Sequence, residues 1–170
     1  MTIHKAAVVG GIAAAGIIAA FSATGTASAS CASLNGNHIG KGCEGVNGGL
    51  ALGLGPKAAA VANGPGTVAI AVGNAGANKF YPDTVMGPQA YAKGSQSVAL
   101  ALGDGSNAGT LGRHNLAVVL GKGSNAYSYG GNSGLQPYEG NRNVSITVGD
   151  GKEAGAVGNH RFALGKKQDD

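Results

Sequence analysis

The sequence predicts an all-β fold, a parallel β-roll or solenoid of short strands that end at glycine, preceded by an N-terminal signal helix. Three observations lead there. Apolar runs that stop at glycine occur six times, at 50–53, 68–73, 98–103, 116–121, 144–149 and 162–165. Within a run large and small residues alternate, as in Val98-Ala99-Leu100-Ala101-Leu102, and a period of two marks a strand. Gly-x-Gly-Ser-Asn-Ala follows at 103–108 and 121–126, with looser copies at 53–58 and 149–154. A strand-and-turn unit repeated in this way completes its core by stacking on its neighbours.

Residues 1–29 read as a secretory signal peptide. His4 and Lys5 are followed by an apolar stretch from Ala6 to Phe21 and by Ala27-Ser28-Ala29 as a small-residue cleavage site. Gly10, Gly11, Gly16 and Gly25 interrupt the segment, and the run is short for a bilayer. A lipoprotein acylated at Cys31 is the alternative, opposed by Ser28 where an aliphatic residue is usual.

Residues 30–47 form an N-terminal cap over the first rung. In a secreted context Cys31 and Cys43 are expected to pair in a disulfide. A loop of that size contributes about 3 kcal/mol by restricting the unfolded chain. His38 lies between them, but one His and two Cys are too few for a closed zinc site. Residues 48–165 are the roll and 166–170 a polar tail. Spacings between run-ending glycines are 20, 30, 18, 28 and 16 residues. The short steps fit single rungs of two strands, and the long ones carry extra segments, roughly 78–91 and 129–139.

Removing the signal takes Lys5 away and lowers the formal charge from +4 to +3. Without a Lys/Arg cluster, nucleic acid is not an expected partner. The large residues of each strand are expected inside the roll. The alanine face is apolar as well, and strands apolar on both faces expect burial on both. That face is therefore expected to pack on a second copy of the chain, unless alanine simply stays exposed without penalty.

The motifs Ser97-Val98-Ala99-Leu100, Asn115-Leu116-Ala117-Val118 and Asn143-Val144-Ser145-Ile146, with their Gly-x-Gly-Ser-x-Ala continuations, resemble the head repeats of trimeric autotransporter adhesins, the YadA-like heads. The likeness covers about residues 48–165. It implies a left-handed parallel β-roll, a homotrimer and surface adhesion. The chain carries no heptad stalk and no membrane barrel, so anchoring in that family's manner is not expected. Its length and signal peptide also look like a small secreted or envelope-associated actinobacterial protein.

The residue after each run's glycine gives the column Leu54, Asn74, Asp104, Lys122, Asp150 and Lys166, whose charges alternate from Asp104 onward. Stacked about 4.8 Å apart, these side chains would form an acid–base ladder. Interleaved lysines argue against calcium there. A second column, Gly66, Gln96, His114, Arg142 and His160, reads as a solvated polar edge, because Arg142 between two histidines opposes a metal. No metal and no cofactor are expected. No Ser/His/Asp set can be assembled, and a glycan-acting enzyme with paired carboxylates would need a cleft.

The aromatics collect at the two long steps. Phe80, Tyr81 and Tyr91 lie in or beside the first, and Tyr127, Tyr129 and Tyr138 in or beside the second, with both segments expected on one side. Tyrosines join apolar area to a hydrogen-bonding tip, which suits recognition of a protein or glycan surface. These six are the candidate binding residues; the alternative is a small aromatic core beneath the loops. The expected function is a secreted, non-enzymatic, adhesin-like interaction module, extracellular or associated with the cell envelope. A passive structural envelope protein is the alternative, and a glycan-acting enzyme the third reading.

Overall fold

A computed structural model describes residues 31–129 and 142–165. The signal segment, most of the second long step with Tyr138, and the tail with Lys166 lie outside them. The described residues form strands and turns with no helix. The chain opens with β1 (Cys31–Leu34), β2 (Asn37–Ile39), β3 (Cys43–Val46), β4 (Leu50–Leu54), β5 (Ala59–Asn63) and β6 (Val68–Val72). A hairpin of β7 (Gly76–Asn78) and β8 (Tyr81–Met86) follows. β9 (Gln89–Ser95), β10 (Val98–Leu102), β11 (Asn107–Arg113) and β12 (Leu116–Leu120) come next. β13 (Asn125–Tyr129), β14 (Val144–Val148), β15 (Glu153–Val157) and β16 (Phe162–Leu164) complete the set.

Two large sheets result. One has eight strands in the order β16-β14-β12-β10-β6-β4-β1-β2, and the other six in the order β15-β13-β11-β9-β5-β3. Apart from the hairpin, strands after β3 alternate between the sheets, and from β4 to β16 each pairs in parallel with its next neighbour. A four-residue turn joins consecutive five-residue strands, as at 55–58 and 64–67.

The interior is the reverse of the sequence expectation. Ala51, Ala69, Ala71, Ala99, Ala101 and Ala117 of one sheet meet Ala60, Ala62, Ala90, Ala92, Ala108 and Ala126 of the other in one fully buried cluster. Val119 is the largest apolar side chain in it. Turns of four residues bring the sheets so close that methyl groups fill the gap, and leucine on both sides would overpack it. The large residues instead face outward: Leu50, Val68, Val98, Leu116 and Val144 are half-buried, while Leu120 and Val148 are 42% and 50% exposed. The alanine face therefore has no room for a second copy.

Two run-ending glycines also move. Gly53 pairs with Ala71, and the Leu164↔Ile146 pairing puts Gly165 level with Thr147, so both occupy inward positions. The turn glycine of the first run is Gly55. Gly55 to Gly73 and Gly103 to Gly121 are then both 18 residues, one strand and one turn counted twice. Leu54 leaves the charged column, and Pro56 takes its place.

Gly53 has its own use. A Cβ there would lie 2.6 Å from Cys31 Sγ and 3.1 Å from Cys43 Sγ. The Cys31–Cys43 disulfide fills that space, linking β1 of one sheet to β3 of the other at the end of the stack.

The two long steps interrupt opposite edges. The hairpin lies between β6 and β9, where the chain passes from the eight-stranded to the six-stranded sheet. The second extra segment lies between β13 and β14, on the return. They were expected on one side. Spacing between glycines cannot reveal which of two turns within an 18-residue unit has been extended.

Candidate functional site: a tyrosine-lined groove

The outer face of the six-stranded sheet carries the site. Tyr91 on β9 and Tyr127 on β13 both pair with Gly109 on β11, and Tyr127 also pairs with Gly155 on β15. Tyrosine and glycine thus alternate across four strands. Tyr129 is two residues further along β13, beside Leu111. Tyr91, Tyr127 and Tyr129 therefore belong to core strands, not to the extra segments, because strand alternation points them away from the alanine interior.

Tyr127 and Tyr129 stack, with ring centroids 5.6 Å apart and planes 25° from parallel. Both lean over Gly109: a Cβ there would be 3.3 Å from Tyr127 Cδ1 and 3.3 Å from the Tyr129 hydroxyl. The rings occupy the space a side chain at 109 would need. Asn107 Nδ2 donates to the Tyr127 hydroxyl at 3.2 Å, and the Tyr91 hydroxyl donates to Gln89 Oε1 at 3.1 Å.

The hairpin supplies the other wall. Residues 74–79 run across three successive turns: Gly105 N donates to Asn74 O at 3.2 Å, and Lys79 N donates to Gly123 O at 3.4 Å. Buried Asn78 clamps it, donating to Gly105 O at 2.8 Å and to Asn125 Oδ1 at 3.0 Å. Its Oδ1 accepts from Phe80 N at 2.9 Å, which fixes the bend that brings Phe80 and Tyr81 over the sheet. Phe80, Tyr81, Tyr91, Tyr127 and Tyr129 thereby line one open groove of about 640 Å³. Lys93, Asn107, Asn125 and Glu153 supply its polar rim, with Gly109 and Leu111 between.

Five of the six predicted aromatics thus converge; Tyr138 is outside the described residues. Burial raises the Tyr91 phenol above its ordinary range. Burial first, and then repulsion from Tyr81, do the same for Tyr129 and more strongly for Tyr127. All three are neutral hydroxyls at physiological pH. Asn107 Oδ1 is buried at the groove and makes no hydrogen bond. The sequence reading missed Lys93, Asn107, Asn125 and Glu153. The available signal was a two-residue spacing along strands, of Lys93 from Tyr91 and of Asn125 from Tyr127; Asn107 and Glu153 stand two residues from Gly109 and Gly155 on strands without tyrosine, and nothing local marked them.

The charged column is present in part. Lys122 Nζ lies 3.5 Å from Asp104 Oδ2, and Asp104 and Asp150 accept the backbone N–H groups of Asn74 and Lys122, each at 2.7 Å. Gln96, His114, Arg142 and His160 are exposed along the opposite edge. Among the described residues, no three His, Cys, Asp or Glu side chains gather as a metal site would require, and no helix is long and apolar enough to cross a membrane.

A scan against protein-family models, a search of curated proteins and a search of solved structures each found no match to this chain.

Proposed function

We propose that the chain is a secreted, non-enzymatic β-solenoid that self-associates through one outer face and holds a ligand on the other. The observation that carries this reading is the contrast between those faces. The outer side of the eight-stranded sheet is apolar from β4 to β16, with an aliphatic row through Leu52, Ile70, Leu100, Val118, Ile146 and Leu164 and Phe162 at its end. Five strands of five residues and the three-residue β16 make a plate of about 25 Å by 15 Å, the size of the largest apolar patch on an ordinary monomer, which is often functional. It holds no charge on its strands, and its aliphatic rows repeat at the strand spacing, so a second copy offers a matching ridge-and-groove surface. The resemblance to YadA-like heads sets the expected number of copies at three.

The other face supplies the adhesin-like role. Self-association would present several tyrosine grooves from one particle, and linked weak sites gain strength through effective concentration. A glycan-acting enzyme finds less support, because among the described residues Glu153 is the single carboxylate in the groove lining and paired-carboxylate hydrolysis uses two. The disulfide suits an extracellular or envelope-associated location.

Light scattering on the purified protein tests the arrangement. The expected result is a defined oligomer that becomes monomeric when Leu100→Glu and Val118→Glu are introduced together, with the β-sheet circular dichroism kept. A monomeric wild-type protein at micromolar concentration overturns it.

A further inference from the structure

We infer that the groove between Tyr91 and the Tyr127–Tyr129 pair takes a carbohydrate, one or two pyranose rings laid against the tyrosine faces. This rests on the reading of the groove as a binding site and names what fills it. The groove's volume of about 640 Å³ falls in the range of sites for small molecules and short oligomers. Its walls are aromatic rings, whose faces suit the C–H side of a saturated sugar ring. Between them stands a hydrogen-bonding set of mixed polarity. The hydroxyls of Tyr91 and Tyr127 share their bonds with Gln89 and Asn107, and Lys93 and Glu153 stand beside them in the lining. Sugar hydroxyls both donate and accept, so one ring can serve all of these groups.

Charge narrows the class further. Among the described residues, Lys93 and Glu153 are the only charged side chains in the lining, and they carry opposite signs. A polyanion or polycation would find no net attraction, and neutral phenols add none. The groove floor is a sheet face whose main-chain groups are occupied in the β9–β11–β13 ladders, so an extended peptide cannot bind by adding a strand. Gly109 matters here for what it lacks. A side chain at 109 would push Tyr127 and Tyr129 upward and fill the floor.

The test uses the purified protein with cellotetraose, chitotetraose and maltotetraose, and with oligoproline as the peptide probe. Saturation-transfer NMR should show contact through the ring C–H protons of at least one saccharide. Tyrosine fluorescence should follow binding, because the chain has no tryptophan and four of its five tyrosines line the groove. Gly109→Val and Tyr91→Ala should each weaken that binding about tenfold or more, the scale of one lost aromatic contact. Tyr91→Phe, which keeps the ring and loses only the hydroxyl, should weaken binding a few-fold, less than Tyr91→Ala does. Near-ultraviolet circular dichroism confirms that the variants fold. If oligoproline alone binds and the same variants abolish it, the carbohydrate assignment is overturned while the interaction module stands. If no probe binds, the assignment is overturned as well, and the light-scattering result decides separately whether the module reading survives.

Discussion

The two edges where the chain turns between sheets use the same backbone conformation and different residues. At the edge leading from the eight-stranded to the six-stranded sheet, the third turn residue is Gly105, Gly123 or Gly151, with φ of 62°, 57° and 61°. At the return edge the equivalent residues are Gly66, Gln96, His114, Arg142 and His160, with φ between 51° and 68°, so four of the five are not glycine. Left-handed backbone costs a non-glycine residue about 1–2 kcal/mol, so conformation alone would favour glycine at both. What differs is the covering. The hairpin lies over the first edge: a Cβ at Gly105 would be 2.7 Å from Gly76 O, and one at Gly123 would be 2.8 Å from Ala77 O. Lys57 occupies the same turn position, with φ 59°, in the unit that β7 does not cross. At 105 and 123 glycine leaves room for the hairpin backbone, whereas Gly66 at the return edge meets nothing closer than Gln96 Cγ at 3.5 Å.

The return edge is held from inside. Asn143 Oδ1 accepts from Arg161 N at 2.9 Å, and its Nδ2 donates to Tyr129 O at 2.9 Å and to Gly158 O. Asn143 N in turn donates to Asn115 Oδ1 at 3.0 Å, and Asn115 N to Ser97 Oγ at 3.2 Å. This polar ladder ties successive turns together beneath the exposed column. The outward residues there are exposed among the described residues, which is compatible with Gln, His or Arg.

The largest expected effect comes from the covered edge. Gly123→Ala combines left-handed strain with a clash against the hairpin backbone and should destabilise by roughly 3 kcal/mol in urea unfolding with the disulfide intact. A change below 1 kcal/mol would show that the hairpin does not hold this turn. The reverse substitution at the open edge should go the other way. His114→Gly relieves the strain without disturbing any packed neighbour, and should stabilise by about 1 kcal/mol. Equal effects of opposite substitutions at both edges would remove the distinction.

The smallest effect concerns pH. The Asn74 N–H first, and Lys122 to a lesser degree, hold the Asp104 carboxyl below its ordinary range. A depressed carboxyl contributes stability above its unfolded pKa and loses it as pH falls through the folded value. Asp104→Asn should therefore leave the mid-point at neutral pH within about 0.5 kcal/mol of wild type, since Lys122 is largely exposed. It should also flatten the acid limb below about pH 4. An unchanged acid limb would mean the carboxylate has no such role.

Much of this was legible in residues. Period-two alternation in Val98-Ala99-Leu100-Ala101-Leu102 identified strands, and the glycine-bounded repeat identified parallel pairing of like with like, as in Val98 with Val68 and Leu116. The cysteine pair and the clustering of Phe80, Tyr81, Tyr91, Tyr127 and Tyr129 were also visible. Which face lay inside was not, because alternation is symmetric: it states that Ala99 and Leu100 point oppositely and leaves open which one meets the other sheet. Gly53 and Gly165 misled for a related reason, since a glycine looks the same at a turn and at a crowded inward position.

Sequence alone determined the strands, their unit and the small set of aromatics, because local periodicity and turn chemistry depend on near neighbours. Tertiary structure decided the rest. The gap left by four-residue turns placed alanine inside and aliphatic side chains outside, and a hairpin clamped by Asn78 carried Phe80 and Tyr81 over tyrosines distant in the chain. Both depend on how far apart two sheets stand and on what crosses a turn. Those distances are set by the whole stack and are written in no single segment.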